Sequence, residues 1–289
     1  MARRIRYGIV GTGMMGCEHI RNIRLLPDVE ITAIADPVER SLEWADGNLG
    51  AWKPARFRSA AELAEKGEVD AVVVVSPNNT HREVLEQLFA RDVAILCEKP
   101  LATTIADAQW IVEQAAKSAA PFWTAMEYRY MPPVARFIQE VHGGKVGKLQ
   151  MLSMREHRFP FLVKVGDWNR FSRNTGGTMV EKCCHFFDLM RHITQSEAVR
   201  VYCSGAMDVN HLDERYGGEK PDILDNSYTV VDFADGTRAT VAALVGAAGL
   251  GVPVVRALNS VNTALGFESG FVIVVVAIIL DRMLAAIGL

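Results

Sequence analysis

Near the start of the chain, Gly11-Thr12-Gly13-Met14-Met15-Gly16 sets a GxGxxG spacing between a β-branched run and an amphipathic one. Glycines there let the backbone close against a diphosphate, whose charge is met by the N–H groups that open the next helix. Asp36 follows the last glycine by 20 residues (36 − 16), at the end of the second β-branched run, where a carboxylate accepts hydrogen bonds from ribose hydroxyls. Strand, turn, helix and acid together point to a dinucleotide. The carboxylate repels an extra ribose phosphate and so favours NAD, while Arg40 a turn later keeps NADP open. Ser76-Pro77-Asn78-Asn79-Thr80-His81 and Cys97-Glu98-Lys99-Pro100 stand at the ends of two later strands, and Glu127 closes another. The carboxyl ends of parallel strands are where such sheets bind ligands.

With these motifs the chain, from about Ile5 to about Thr240, resembles the glucose-fructose oxidoreductase and inositol dehydrogenase (Gfo/Idh/MocA) family. In that family a Pro-Asn-x-x-His turn and a Glu-Lys-Pro turn line the nicotinamide pocket. The resemblance implies that Ser76, Pro77, Asn78, Asn79, His81, Glu98, Lys99, Pro100 and Glu127 stand around the cofactor. It also implies that Lys99 hydrogen-bonds the reacting oxygen and helps hold the nicotinamide ribose. The implied fold is a Rossmann domain followed by an open-faced sheet domain that carries substrate residues and often the oligomer interface.

Hydride transfer from a carbinol carbon requires a base for the hydroxyl proton and a donor for the developing alkoxide, while the cofactor does the redox work. Gly176-Gly177-Thr178-Met179-Val180-Glu181-Lys182-Cys183-Cys184-His185 resembles the family's glycine pair leading into an Asp-x-x-x-His helix, with Glu181 in place of Asp. Spacing of four places Glu181 and His185 on one helical face. His185 is the candidate acid/base, since an imidazole titrates near neutral pH, and Glu181 its orienting carboxylate or a ligand for a substrate hydroxyl. Tyr128, Arg129, Arg155, His157, Lys164, Trp168, Asn169, Arg170 and Lys182 supply polar donors and an aromatic wall suited to a polyhydroxylated or carboxylated ligand. The resemblance implies an NAD-dependent dehydrogenase acting on a sugar, inositol or related polyol. A catalytically impaired nicotinamide-binding protein remains an alternative.

The elements that must position these groups alternate at βαβ spacing. Strands are expected at Ile5–Val10, Glu30–Asp36, Val72–Val75, Val93–Cys97 and Phe122–Glu127, with a less clear third strand before Ser59. Helices are expected at Met14–Leu26, Ser59–Lys66, Thr80–Arg91 and Thr103–Lys117. This is a doubly wound parallel sheet over residues 1–127. From 128 to 240 the order changes to an α+β layer: a helix to about His142, a strand Lys148–Arg158, a helix Thr178–Ile193, and strands Ala198–Val209 and Ser227–Phe233 before an Asp235-Gly236 hairpin turn. An open antiparallel sheet, incomplete at its C-terminal end, is the expected result, with homo-oligomers formed through it if it is complete.

The 289 residues carry a net charge of −3, 49% hydrophobic and 22% charged. They give no basic field for nucleic acid. Five cysteines without a CxxC pair exclude a disulfide framework, and Cys183, Cys184, His185 and Asp188 do not make a zinc site, because adjacent cysteines on a helix point apart. No signal peptide is read, and a reducing cytoplasm is the expected setting. Residues 241–289 differ: between Ala239 and Leu289 the charged residues are Arg256, Glu268, Asp281 and Arg282. This tail resembles the C-terminal end of a glycine betaine, proline or choline ABC transporter permease, and suggests a junction near residue 241. A membrane role follows only if the tail inserts, and a membrane-associated permease fragment is therefore a second alternative.

Overall fold

The computed structural model describes residues 3–158, 161–162 and 164–245. The expected permease-like tail lies almost wholly outside them. In chain order the first domain comprises β1 (Ile5–Val10), α1 (Met14–Ile23), β2 (Val29–Ala35), α2 (Glu39–Leu49), β3 (Ala55–Phe57), α3 (Ala60–Lys66), β4 (Ala71–Val74), α4 (His81–Leu88), β5 (Ala94–Cys97), α5 (Ile105–Lys117) and β6 (Phe122–Thr124). All six strands are parallel, in the order β3-β2-β1-β4-β5-β6. This is the expected doubly wound sheet.

Both faces are covered because successive side chains on a strand point to opposite sides. Ile9, Ile31, Ile34 and Val73 pack under α1 and α2, and Val10, Ala33, Ala35, Val72, Val74 and Ile95 pack under α3, α4 and α5. Helix α2 had no counterpart in the sequence pattern. Its buried apolar positions, Leu42, Ala45 and Leu49, stand among polar residues and Gly47. Burial against α1 and the sheet, rather than intrinsic propensity, makes the helix.

The second domain comprises α6 (Pro132–His142), β7 (Met151–Arg158), α7 (Ser172–Thr175), α8 (Thr178–Glu181), α9 (Cys184–Thr194), β8 (Ala198–Ala206), β9 (Asn226–Phe233) and β10 (Arg238–Val245). The strand order is β7-β10-β9-β8. Pairing is antiparallel for β8 with β9 and β9 with β10, but parallel for β10 with β7. The sheet is therefore mixed rather than wholly antiparallel, since β7 enters before the helices and pairs in the direction of the last strand. Strand β10 runs to Val245, past the expected boundary at 240.

One face of this sheet packs Leu152, Val231, Phe233, Ala239 and Val241 against Ile138 of α6 and Phe186, Leu189, Met190 and Ile193 of α9. The other face leaves Met151, Tyr202 and Tyr228 exposed.

The single helix expected over Thr178–Ile193 is broken. The Lys182 N–H bonds to Thr178 O in helical fashion, but the Cys183 N–H also reaches Thr178 O, five residues back, and α9 starts afresh at Cys184. Glu181 and His185 therefore do not share one continuous helix.

Candidate active site

The glycine turn sits between β1 and α1, beside β4, at the point where the strand order reverses. Gly11 has φ +95°, and a Cβ there would lie 2.6 Å from the Val75 backbone. A Cβ on Gly16 would lie 2.2 Å from Gly11 O, so helix and turn need glycine to pack. Gly13 is different: a Cβ there meets nothing within 4 Å. Its open side faces a cavity of about 550 Å³ lined also by Gly11, Met14, Asp36, Ser76 and Pro77. Lys164 and Trp168 of the second domain line the same cavity.

Asp36 is held there by the N–H groups of Thr12 at 2.8 Å and Val38 at 2.9 Å. The exposed backbone at Gly13 and the fixed carboxylate suit the diphosphate and ribose of NAD. Thr12 itself is fully buried and serves Asp36 rather than facing the cavity. Met15 and Arg40 are not among the cavity residues. Arg58, which the sequence reading missed, lines the cavity and pairs with Glu39. No local signal marks it, because it approaches through the pairing of β3 with β2.

At the next strand ends the polar groups knit loops together. His81 is fully buried, with Nδ1 2.9 Å from Pro100 O and Nε2 3.0 Å from Ser76 O, so it ties the two turns and has no nitrogen left for a cofactor. Burial pushes its imidazole below the usual range. Asn78 donates from Nδ2 to Thr175 O across the domains at 3.2 Å, while Asn79 is exposed. Buried Glu98 contacts His19 Nε2 at 2.7 Å and accepts the Lys99 N–H at 3.0 Å. Burial raises the Glu98 carboxyl, but His19 and Lys99 outweigh it and hold it below the ordinary value. Pro100 is buried behind this turn.

Lys99 reaches from the first domain to the second. Its Nζ donates to Glu181 O at 3.2 Å, at the break between α8 and α9, where Cys184 Sγ lies 3.7 Å from the same oxygen. The broken helix thus leaves a carbonyl for the ammonium.

His185, 2% exposed, stacks on Tyr128 with ring centroids 4.0 Å apart and planes 6° apart. Its Nε2 lies 3.4 Å from Glu127 Oε1, and its Nδ1 is buried with no partner among the described residues. The carboxylate facing the imidazole is therefore Glu127, expected beside the cofactor, and not Glu181. Burial, then the Lys99 and Lys182 ammoniums, push the His185 imidazole down to about 3. The expectation that it titrates near neutrality is corrected: the ring is neutral, and a proton on Nε2, facing the Glu127 carboxylate, leaves the lone pair on Nδ1. Burial raises the carboxyls of Glu127 and Glu181. Glu181 Oε2 is also buried without a partner.

Strand alternation sorts the remaining candidates. Arg155 and His157 lie on the open face of β7, opposite the core side of Leu152. Glu156 and Arg158, on the inner face, reach the site instead and bear on Lys182. A period-of-two reading anchored on Leu152 would have found them. Arg129 is engaged by Asp188, with Nε 2.6 Å from Oδ2, which makes it a brace between Tyr130's turn and α9. Asn169 and Arg170 are buried and hold the loop, through Leu162 O at 2.9 Å and Glu214 at 3.1 Å respectively. Among the described residues no cluster of His, Cys, Asp or Glu could hold a metal, and no helix is long and apolar enough to cross a membrane.

Residues 5–126 match the family model described as an oxidoreductase family with an NAD-binding Rossmann fold, and residues 134–255 match the GFO/IDH/MocA C-terminal domain. The chain belongs to the Gfo/Idh/MocA oxidoreductase family. Curated relatives in that family include the rhizopine catabolism protein MocA of Rhizobium meliloti, 30% identical over 67% of this chain and 58% of its own length. Myo-inositol 2-dehydrogenase of Thermotoga maritima is 29% identical over 82% of this chain and 67% of its own length. The chain thus spans about three fifths to two thirds of these relatives.

Among solved structures, a probable dehydrogenase from Thermotoga maritima superposes with TM-score 0.72 at 28% identity, covering 84% of this chain and 69% of that one. A scyllo-inositol dehydrogenase from Lactobacillus casei with bound NAD(H) and scyllo-inositol gives TM-score 0.72 at 24% identity, over 85% of this chain and 71% of that one, and speaks to the fold alone. The first Gfo/Idh/MocA domain is an NAD-binding Rossmann domain. The second-domain match runs to residue 255, past the change in composition near 240, and nothing supports the permease resemblance of the tail.

Proposed function

We propose that the chain is an NAD-dependent dehydrogenase that moves a hydride between the nicotinamide and a hydroxyl carbon of a polyol, with inositols and sugars as the substrate class. The observation that carries this reading is the meeting of Lys99 with the second domain beside His185, whose Nδ1 is buried without a partner. Buried polar atoms are ordinarily paired, so an orphan lone pair in a cleft is a place for a ligand proton. The likeness to the myo-inositol 2-dehydrogenase of Thermotoga maritima supports the same class.

NAD, held by the Gly11–Gly16 turn and Asp36, would supply the hydride acceptor. The chain's own residues do the rest. The Lys99 ammonium donates to the reacting oxygen and stabilises the developing alkoxide. His185, a weak base in the unliganded cleft, accepts the hydroxyl proton at Nδ1 only as Lys99 stabilises the alkoxide, and Glu127 beside Nε2 offsets the positive charge the ring then acquires. Tyr128 fixes the plane of the ring, and Glu181 Oε2 takes a neighbouring hydroxyl. The open sheet face, with Met151, Tyr202 and Tyr228 exposed, supports assembly into homo-oligomers, and five free thiols fit the reducing cytoplasm.

Fluorescence titration of the full chain with NADH, followed by a panel of polyols, tests the reading. Binding of NADH and turnover of at least one polyol are expected, and His185→Ala should lower kcat by about 10²–10⁴-fold. Failure to bind either NADH or NADPH refutes it.

A further inference from the structure

The cleft holds more positive charge than a neutral polyol requires. Lys99, Lys182, Lys164 and Arg158 all bear electrostatically on Glu181, whose Oε2 is buried without a partner among the described residues. Among the described residues no carboxylate lies within 4.0 Å of any of the three ammoniums. The carboxylates nearby are largely engaged elsewhere: Glu98 by His19, Glu156 by Arg158 at 3.5 Å, and Glu127 by His185. Among the described residues the buried Nε of Arg158 also has no partner. Unpaired, half-buried cations are costly unless something completes them.

We propose that the substrate is a polyol bearing one carboxylate, which Lys182 holds together with Arg158 and Lys164, while Lys99 and His185 engage the reacting hydroxyl. This rests on the dehydrogenase reading and narrows its substrate class to sugar acids or carboxylated cyclitols. The placement follows from the backbone. Lys182 occupies the break after α8, next to the carbonyl that Lys99 grips. Arg158 ends the inner face of β7, and Lys164 enters from the loop that lines the nucleotide cavity.

The field agrees with the geometry. Burial first, then Lys99 and Arg158, push the Lys182 ammonium down to about 8 against the opposing pull of Glu156 and Glu181, so cations prevail at that point. Lys164 is likewise lowered, chiefly by burial. A single carboxylate among these groups offsets their mutual repulsion. Three ammoniums set against Glu181 and Glu127 leave one positive charge, which one negative charge matches better than the two of a phosphate.

Calorimetric titration of the NAD-loaded full chain with gluconate, glucuronate, glucose, myo-inositol and glucose 6-phosphate tests this. At least one carboxylated probe should bind about tenfold or more tightly than the neutral ones, as a charge-assisted hydrogen bond in a desolvated cleft warrants. Lys182→Met should erase the preference, while Lys182→Arg should keep most of it, with circular dichroism showing that both fold. Equal or weaker binding of both carboxylates, or no binding by any probe, overturns the inference, and so does a preference that survives in Lys182→Met. Tighter binding of the phosphate also overturns the carboxylate assignment. Turnover of neutral polyols without carboxylate preference would sink this inference and leave the dehydrogenase standing. Preferential carboxylate binding with no turnover of any probe would do the reverse.

Discussion

Acidifying the folded chain should cost it more stability than it costs a His185→Gln variant, and the size of the difference follows from the ring's surroundings. The imidazole is 2% exposed, stacked on Tyr128 and faced by Lys99, Lys182, Glu98 and Glu127, with burial and the two ammoniums pushing it down to about 3. In the unfolded chain it titrates at about 6.5. The folded ring holds its proton less tightly than the unfolded one, so unfolding takes up a proton in the interval between those values. Its contribution is therefore undiminished above about pH 6.5 and is lost as the pH falls toward about 3. At about pH 5 the loss is log(1 + 10^1.5), roughly 1.5 pH units, or about 2 kcal/mol at 1.36 kcal/mol per unit.

Urea unfolding of parent and variant at about pH 7.5 and pH 5 measures it. Stability of parent minus variant should drop by about 2 kcal/mol between the two conditions. His81, also buried and pushed down, is common to both chains and cancels. A change below about 0.5 kcal/mol, or one of opposite sign, would mean that the folded ring carries a proton shared with Glu127. The neutral lone pair at Nδ1 would then be wrong, and with it the proton acceptor proposed here.

Four further outcomes follow from the same geometry. Gly16→Ala, whose methyl would collide with Gly11 O, should lose about 1–3 kcal/mol of stability in thermal or urea unfolding. Gly13→Ala, with open space around its methyl, should unfold within about 0.5 kcal/mol of the parent yet bind NADH at least about tenfold more weakly, because the methyl stands where the diphosphate must close on the backbone. Arg129→Met should destabilise by about 1–2 kcal/mol by leaving Asp188 unpaired, and Arg129→Met with Asp188→Leu should recover much of that, which a substrate-binding arginine would not do. Affinity for a carboxylated substrate should fall as the pH rises above about 8, where Lys182, facing Lys99, Arg158, Glu156 and Glu181, gives up its proton. Repeating the titration with Lys182→Arg should abolish that alkaline limb, since a guanidinium keeps its charge.

The nucleotide half of this protein was written in local signals. A turn that only glycine can make, an acid at a fixed distance and runs that alternate between two periods act within tens of residues, so Gly11, Gly13, Asp36 and the parallel sheet could be read directly. The order of strands in the second domain, by contrast, depends on β7 pairing with β10 across some 80 residues, and no local pattern states that the pairing is parallel. That choice, with α9 packed on one side of the sheet, turned Glu156 and Arg158 inward and left Arg155 and His157 outside.

The same limit applies to the expected acid/base pair. Spacing of four placed Glu181 and His185 on one helical face, but the break at Lys182 separated them, opened the Glu181 carbonyl to Lys99 and gave the imidazole Glu127 as its neighbour. Sequence named the residue types that can exchange protons. Burial and long-range charge, which exist only once distant segments have packed, decided which of them are neutral, which are charged, and which are merely braces.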